Sequence, residues 1–287
     1  MTNNISYGNL YIVPTPIGNY NDITQRALAI LNKVDFILSE DTRKTGILLK
    51  YFNINNKLYS YYEFNEYKQT INVIKSLQNG KNIALVSDAG TPLINDPGYR
   101  IVQLCRTKFN NTIKIIPLGG PCAAILALSA SGLPTNRFCY EGFLSKKKNK
   151  RIKRLQELKF EYRTLIIYES KHRILNCLYD IKNIFGENRY IVIAKDLTKK
   201  WENIHGDTVF NLINWINLDK NRLKGEIVLI VQGYNQTVII NNNDKIIKIL
   251  YELKKELSTK TAIKIVSQIY KIKKNILYKL IISKNID

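Results

Sequence analysis

The chain has 287 residues, of which 45% are hydrophobic, and it carries 44 basic against 23 acidic side chains for a formal charge of +21. That is too apolar for a disordered chain and long enough for two folded lobes, while no apolar run approaches the roughly 20 residues that cross a bilayer. Four scattered cysteines without a Cys-x-x-Cys pair, two histidines, and a polar Met1–Asn9 stretch without signal-peptide character argue against a zinc site, a disulfide framework or export, so a cytoplasmic protein with reduced thiols is expected.

In chain order, Leu10–Val13 reads as a strand. Asp22 is the expected N-cap of a helix carrying Ile23, Ala27, Leu28 and Leu31. Phe36–Leu38 follows as a strand, then the polar segment Ser39-Glu40-Asp41-Thr42-Arg43 and a helix through Leu48 and Leu49. Ile71, Ile74 and Leu77 mark a helix closed by Gly80. The run Ile83–Val86 stops at Ser87-Asp88, and the small residues Ala89-Gly90 precede Thr91-Pro92. This is the pattern of a buried strand opening into a ligand loop, where small residues let backbone amides approach closely. A turn capped by Asp88 is the plainer alternative. A helix over about 98–106 and a strand over Ile113–Ile116 complete a β/α alternation that predicts a mostly parallel sheet.

Leu118-Gly119-Gly120-Pro121 reads as a hinge and Ala123–Ser131 as a small-residue helix. A second lobe has expected strands at Thr164–Tyr168, Tyr190–Ala194 and Glu226–Val231. Its expected helices are Arg151–Lys159, Arg173–Phe185 and Asp207–Trp215. Asn235–Asp244 is a polar linker, and three short amphipathic helices follow, the second capped by Ser258. The predicted division is 1–118, 119–236 and 237–287.

Basic residues cluster twice. Lys146–Arg154 holds seven with no acid, and the tail from Asp244 holds eleven lysines against four acidic residues. A polyanion such as RNA is one reading. Solvated charge runs, a composition rich in Lys, Asn, Ile and Tyr, or a tail used for docking or dimerisation are the others. There is no G-x-G-x-x-G after the first strand and no P-loop.

Seven ordered segments carry a resemblance: Leu10-Tyr11-Ile12-Val13-Pro14-Thr15-Pro16-Ile17-Gly18-Asn19 with Asp22-Ile23-Thr24; Ser39–Arg43; Ser87–Ile94 with Asp96-Pro97-Gly98-Tyr99-Arg100; Ser131-Gly132-Leu133-Pro134-Thr135; Glu141-Gly142-Phe143-Leu144; Tyr168-Glu169-Ser170 with His172-Arg173; and Lys224-Gly225-Glu226. The chain resembles the ribosomal RNA small subunit methyltransferase I family, within the tetrapyrrole methylase superfamily. The resemblance implies a two-lobed α/β fold with mostly parallel sheets and a basic helical module at the C-terminus. It also implies homodimers and S-adenosylmethionine-dependent methylation of the ribose 2′-oxygen of cytidine 1402 in 16S rRNA of the 30S subunit. Without the basic clusters, a small-molecule tetrapyrrole methyltransferase would fit, and a non-catalytic ribosome-assembly factor is the remaining alternative.

By the same resemblance, Asp88 is the first candidate for the donor site. Ile17, Ala89, Gly90, Thr91, Cys122 and Ala123 join it from the first half of the chain, with Tyr168, Leu197 and Glu226 from the second lobe. Glu169, His172 and Glu40 are candidates for catalysis, His172 being equally readable as a surface histidine. Arg43, Arg100, Lys146, Lys147, Lys148, Arg151, Arg154 and Arg173 are candidates for RNA phosphates. No metal is expected. Three departures stand out. The family's Tyr-His-Glu-His-Asn-Glu is Tyr61-Tyr62-Glu63-Phe64-Asn65-Glu66 here, Cys122 replaces a hydroxyl residue, and Lys171 replaces a proline.

Overall fold

The computed structural model describes residues 7–109, 112–234, 244–270 and 272–283, so most of the predicted linker at 235–244 lies outside the described residues. Two compact units are present. One runs up to Glu157 and includes Thr164–Gln232; the other joins Leu158–Arg163 to the chain from Gly233 onward.

The first unit holds two five-stranded sheets. The first is built from β1 (Leu10–Ile12), β2 (Phe36–Ser39), β3 (Leu58–Ser60), β4 (Ile83–Val86) and β5 (Ile115–Pro117), in the order β3-β2-β4-β1-β5. Every pairing is parallel. Strand β4 is central and all four of its residues are buried, which is why it reads as a continuous apolar run. Alternate residues serve opposite faces: Ile83 and Leu85 pack with Leu10, Leu77 and Ile101, while Ala84 and Val86 pack with Val13, Leu31 and Leu49.

Helix α1 (Gln25–Lys33) is capped by Thr24, whose hydroxyl accepts from the Ala27 amide at 3.1 Å. Asp22 instead closes the 3₁₀ turn Tyr20–Asp22, two residues before the cap. Asp41 caps α2 (Thr42–Tyr51) through the Arg43 amide at 2.9 Å. Helix α3 (Glu66–Gln78) ends at Gly80 with φ +80°, and α4 is Tyr99–Lys108.

Helix α5 (Ala123–Ala130) leads to the second sheet. Its strands are β6 (Phe138–Phe143), β7 (Thr164–Ser170), β8 (Tyr190–Lys195), β9 (Asn203–Thr208) and β10 (Glu226–Val231), in the order β6-β7-β10-β8-β9. Only β6–β7 is parallel among these pairings. The expectation of mostly parallel strands therefore holds for the first sheet and not the second. The connection over 196–202 is too short for the crossover that parallel strands need, so β9 returns antiparallel to β8. Helices α6 (Lys148–Leu158), α7 (Ile174–Phe185) and α8 (Val209–Leu218) complete this half.

The second unit contains α9 (Asp244–Glu256), α10 (Thr259–Tyr270) and α11 (Lys274–Ser283). Ile246, Leu250, Ile263, Val266, Leu277 and Leu280 form its own small core. Ser258 caps α10 through the Thr261 amide at 3.3 Å. No helix among the described residues is long and apolar enough to cross a membrane.

Candidate active site

The loops after β1 and β4 are tied together before they reach the site. Thr15 and Gly90 exchange both backbone hydrogen bonds at 2.9 Å. The Thr15 hydroxyl donates to the Ser87 carbonyl at 3.1 Å, and the Thr91 hydroxyl donates to the Pro121 carbonyl at 2.8 Å, pinning the β4 loop to the entry of α5. Gly90 has φ +85°, and a Cβ there would lie 3.3 Å from the Ile17 side chain. The chain passes closely here because the residue is glycine.

These loops border a cavity of about 640 Å³ at the carboxyl ends of β1, β4, β7 and β8. The size lies within the range of small-ligand sites, and the position is where open α/β sheets bind ligands. All ten residues expected at a donor site line it, from Ile17 and Asp88 through Cys122 and Ala123 to Leu197 and Glu226. Helix α5 begins at the cavity. Its N-cap, Cys122, makes no side-chain capping bond, consistent with the thiol replacing a hydroxyl. The Ala124 amide donates to the Tyr168 hydroxyl at 3.1 Å, and Tyr168 packs edge-on against Tyr140 and Phe143. A helix start of this kind favours a carboxylate ligand.

Three carboxylates gather on the first-sheet side. Asp88 Oδ1 accepts from the Asp41 amide at 3.0 Å and Oδ2 from Lys44 Nζ at 2.6 Å, so Asp88 latches α2 to the β4 loop while bordering the cavity. Glu40, beside Asp88 but not on the cavity wall, has its pKa raised by burial and then by the Asp88 charge. Asp96 does line the cavity, and burial, reinforced by Glu40 and Asp88, pushes its pKa up to about 7. Asp96 is not among the residues expected at the site; the available signal was a carboxylate ten residues past the strand end at Val86, inside Asp-Pro-Gly. Its loop is held in unusual backbone: Leu93 and Asn95 have φ of +72° and +73°. Glu66 Oε1 fixes the far end by accepting from the Gly98 and Arg100 amides at 3.2 and 3.1 Å.

The second-sheet side is different. Glu169 and His172 line the cavity, but Glu169 is 2% exposed. Its Oε2 accepts from the Ser170 amide at 2.6 Å and lies 3.1 Å from Arg173 Nη2. Arg173 also donates to the Ser170 hydroxyl at 3.0 Å and the Leu144 carbonyl at 3.1 Å. Arg173 is thus held by internal partners, with part of its side chain exposed. Arg151 is removed from the RNA-facing set: it is 5% exposed and bonds Asp180 through Nε at 2.7 Å. Arg154 pairs with Glu141 and Glu157 on the surface. Lys146, Lys147 and Lys148 are exposed, as are Arg43, paired with Asp41, and Arg100, over the Tyr67 ring. Tyr62 and Phe64, which replace the family's histidines, are exposed and outside the cavity. No cluster of metal-ligating residues occurs among the described residues.

This architecture is that of a methylase. The family model for Tetrapyrrole (Corrin/Porphyrin) Methylases matches residues 9–212. Solved structures agree at the level of fold: the methyltransferase CobJ superposes with a TM-score of 0.57 at 18% identity, covering 79% of this chain and 94% of CobJ. Uroporphyrin-III-C-methyltransferase from Thermus thermophilus gives 0.55 at 18% identity, covering 78% and 94%. Among curated proteins, "Ribosomal RNA small subunit methyltransferase I" of Escherichia coli O157:H7 is 53% identical over 274 residues, covering 96% of this chain and 94% of that protein. The protein of the same name from Pseudomonas aeruginosa is 40% identical, covering 96% of each. The chain belongs to the ribosomal RNA small subunit methyltransferase I family.

Proposed function

We propose that this methyltransferase uses S-adenosylmethionine to methylate the ribose 2′-oxygen of cytidine 1402 in 16S rRNA, on the small ribosomal subunit in the cytoplasm, working as a homodimer. The observation that carries the reading is the cavity at the strand ends, in a chain whose close relatives bear an rRNA methyltransferase name.

The residues present fit the donor. The start of α5, where the Cys122 side chain makes no capping bond, suits its carboxylate, the apolar walls at Ile17, Ala123, Leu197 and Val228 suit its uncharged parts, and the carboxylates of Asp88 and Asp96 suit its positive charge. Bound there, the donor supplies an electrophilic methyl group on a sulfonium. What the protein must add is orientation and a proton acceptor. The Thr15–Gly90 and Thr91–Pro121 ties hold the cavity wall rigid, and alignment of reacting atoms is worth up to roughly 7–11 kcal/mol.

Asp96 is assigned as the proton acceptor for the ribose hydroxyl. It is on the wall, has no pairing cation among the described residues, and has a pKa pushed up to about 7, close to the working pH. Glu169 is tied to Arg173 and holds that guanidinium in place, and Glu40 stands behind Asp88. His172 is exposed at the rim.

Purified protein incubated with labelled S-adenosylmethionine and small subunits from a strain lacking this modification should place one ribose methyl group at cytidine 1402, located by mass spectrometry of nuclease digests. Label transferred to a porphyrinogen and not to the subunits would return the tetrapyrrole reading. Tight subunit binding without label would mark an assembly factor.

A further inference from the structure

A second groove, of about 730 Å³, opens beside the cavity, and Lys199 lines both. It is lined by Gly18–Asn21 and Tyr51 from the first lobe and by Thr198–Lys200 from the second. Tyr20 and Tyr51 meet edge to face at 4.7 Å, and both rings are substantially exposed. Next to Lys200 stands Trp201, 71% exposed, with Lys200 Nζ 5.1 Å from its ring centre. Other rings of this protein are as exposed, Phe64 among them; here three open rings stand beside two lysines. The chain's other tryptophan, Trp215, is sandwiched between His205 at 4.2 Å and Arg222 at 4.4 Å, which shows what a satisfied indole looks like in this fold.

The groove is built rather than incidental. Thr198, a β-branched residue, is held at φ +64°, and Asp196 at +49°. The Thr198 amide donates to Glu202 at 2.6 Å, and its hydroxyl accepts from the Asn19 amide at 3.1 Å. Asp196 exchanges bonds with Glu226, its amide donating to the Glu226 carbonyl at 2.9 Å and its Oδ1 accepting from the Glu226 amide at 3.1 Å. A Cβ on Gly18 would fall 2.4 Å from the Lys199 side chain, so the two loops meet as closely as glycine allows.

We infer that this groove, resting on the rRNA methyltransferase reading above, binds an unpaired nucleotide adjacent to the one being methylated, with Tyr20 and Tyr51 offering stacking faces in the groove, Trp201 a further one next to its Lys200 wall, and Lys199 and Lys200 contacting its phosphates. Flat aromatic faces interleaved with lysines are the chemistry of single-stranded RNA recognition, tolerant of base identity. An RNA strand delivered to the cavity needs its flanks splayed, and the shared Lys199 makes the groove the continuation of the cavity. Lys199 Nζ is held on Glu226 at 2.8 Å, leaving Lys200 as the freer charge.

The test is steady-state methyl transfer to small subunits, with donor affinity measured separately by calorimetry. Trp201→Ala and Tyr51→Ala should raise KM for the subunits roughly tenfold, the stacking of one base, without changing donor Kd. Trp201→Phe should restore most of the loss. A single-stranded RNA oligonucleotide should quench the fluorescence of the wild-type protein, and Trp201→Phe should abolish the quenching. Lys200→Gln should reduce the dependence of log affinity on log salt by about 0.7. Unchanged KM in both alanine variants overturns the inference while leaving the function intact. Absence of methyl transfer by the wild type overturns the function first. Variants that become monomeric with unchanged RNA affinity would assign the groove to a second copy of the chain and overturn the inference as well.

Discussion

The two sheets of the first unit treat their polar residues in opposite ways. At the end of the parallel sheet, Glu40, Asp88 and Asp96 crowd together, with a single lysine among them, and the pKa values of Glu40 and Asp96 rise. On the mixed sheet, Arg151 with Asp180 and Arg173 with Glu169 are paired inside the lobe, although burial raises the pKa of Glu169 too and leaves its Oε1 without a hydrogen-bond partner among the described residues. Carboxylates without cations next to a cavity suit ligand and proton transfer, whereas paired charge under a sheet fixes shape. On the proposed function, the first lobe brings the proton acceptor and the second completes the cavity wall and the frame behind it.

Asp96→Asn attacks the chemical side of that contrast and should have the largest effect. Loss of a general base lowers kcat/KM by at least about 100-fold. In the wild type, Asp96 must be ionised to accept a proton, so kcat/KM should rise with pH and level off above about 7; the variant should lack this limb. Stability should move the other way. A carboxyl whose folded pKa lies above its free value loses stability for the fold as the pH climbs from the free value of 3.8 to about 7. The melting temperature of Asp96→Asn should therefore exceed the wild type's by a margin that grows across that window, and thermal scans at several pH values check this.

Arg151→Met attacks the frame. Breaking a buried ion pair and stranding Asp180 should destabilise the fold by about 3–5 kcal/mol, read by denaturant unfolding, and Arg151→Met with Asp180→Leu should recover most of it. A solvated Arg151 would instead give a change within about 0.5 kcal/mol.

Asp88→Ala sits between the two, since Asp88 both borders the cavity and latches α2. Calorimetry should show donor affinity reduced roughly tenfold to a hundredfold with the fold retained. The smallest effect should come from His172→Ala. An exposed rim residue should change kcat/KM by no more than about twofold, and a hundredfold drop would move the proton acceptor to the second lobe.

Much of this was legible in the sequence, for identifiable reasons. Strands β4 and β10 are buried on both faces, so they appear as unbroken apolar runs and were placed at their observed limits. Strands β3, β6 and β9, all sheet edges, carry weak patterns and are not expected from the sequence: Asn203–Thr208 has no apolar alternation, and Phe138–Phe143 is interrupted by a register shift between Tyr140 and Gly142. That the Asp88–Thr91 loop and its counterparts border one cavity was legible. The paired charges were not, because pairing depends on elements distant in sequence. Arg151 looked like one member of a solvated basic run; the spacing of Arg151, Leu155 and Leu158 on one helix face was the available warning, and all three are buried. The cap at Thr24 was misassigned to Asp22 because both residue types serve, and only the 3₁₀ turn separates them.

The most direct test is a crystal structure of the protein soaked with S-adenosylmethionine or its demethylated product. The account predicts density in the strand-end cavity, its carboxylate at the start of α5 and its sulfur on the side of Asp96. Density elsewhere on the molecule, or an empty cavity at saturating ligand, would contradict it.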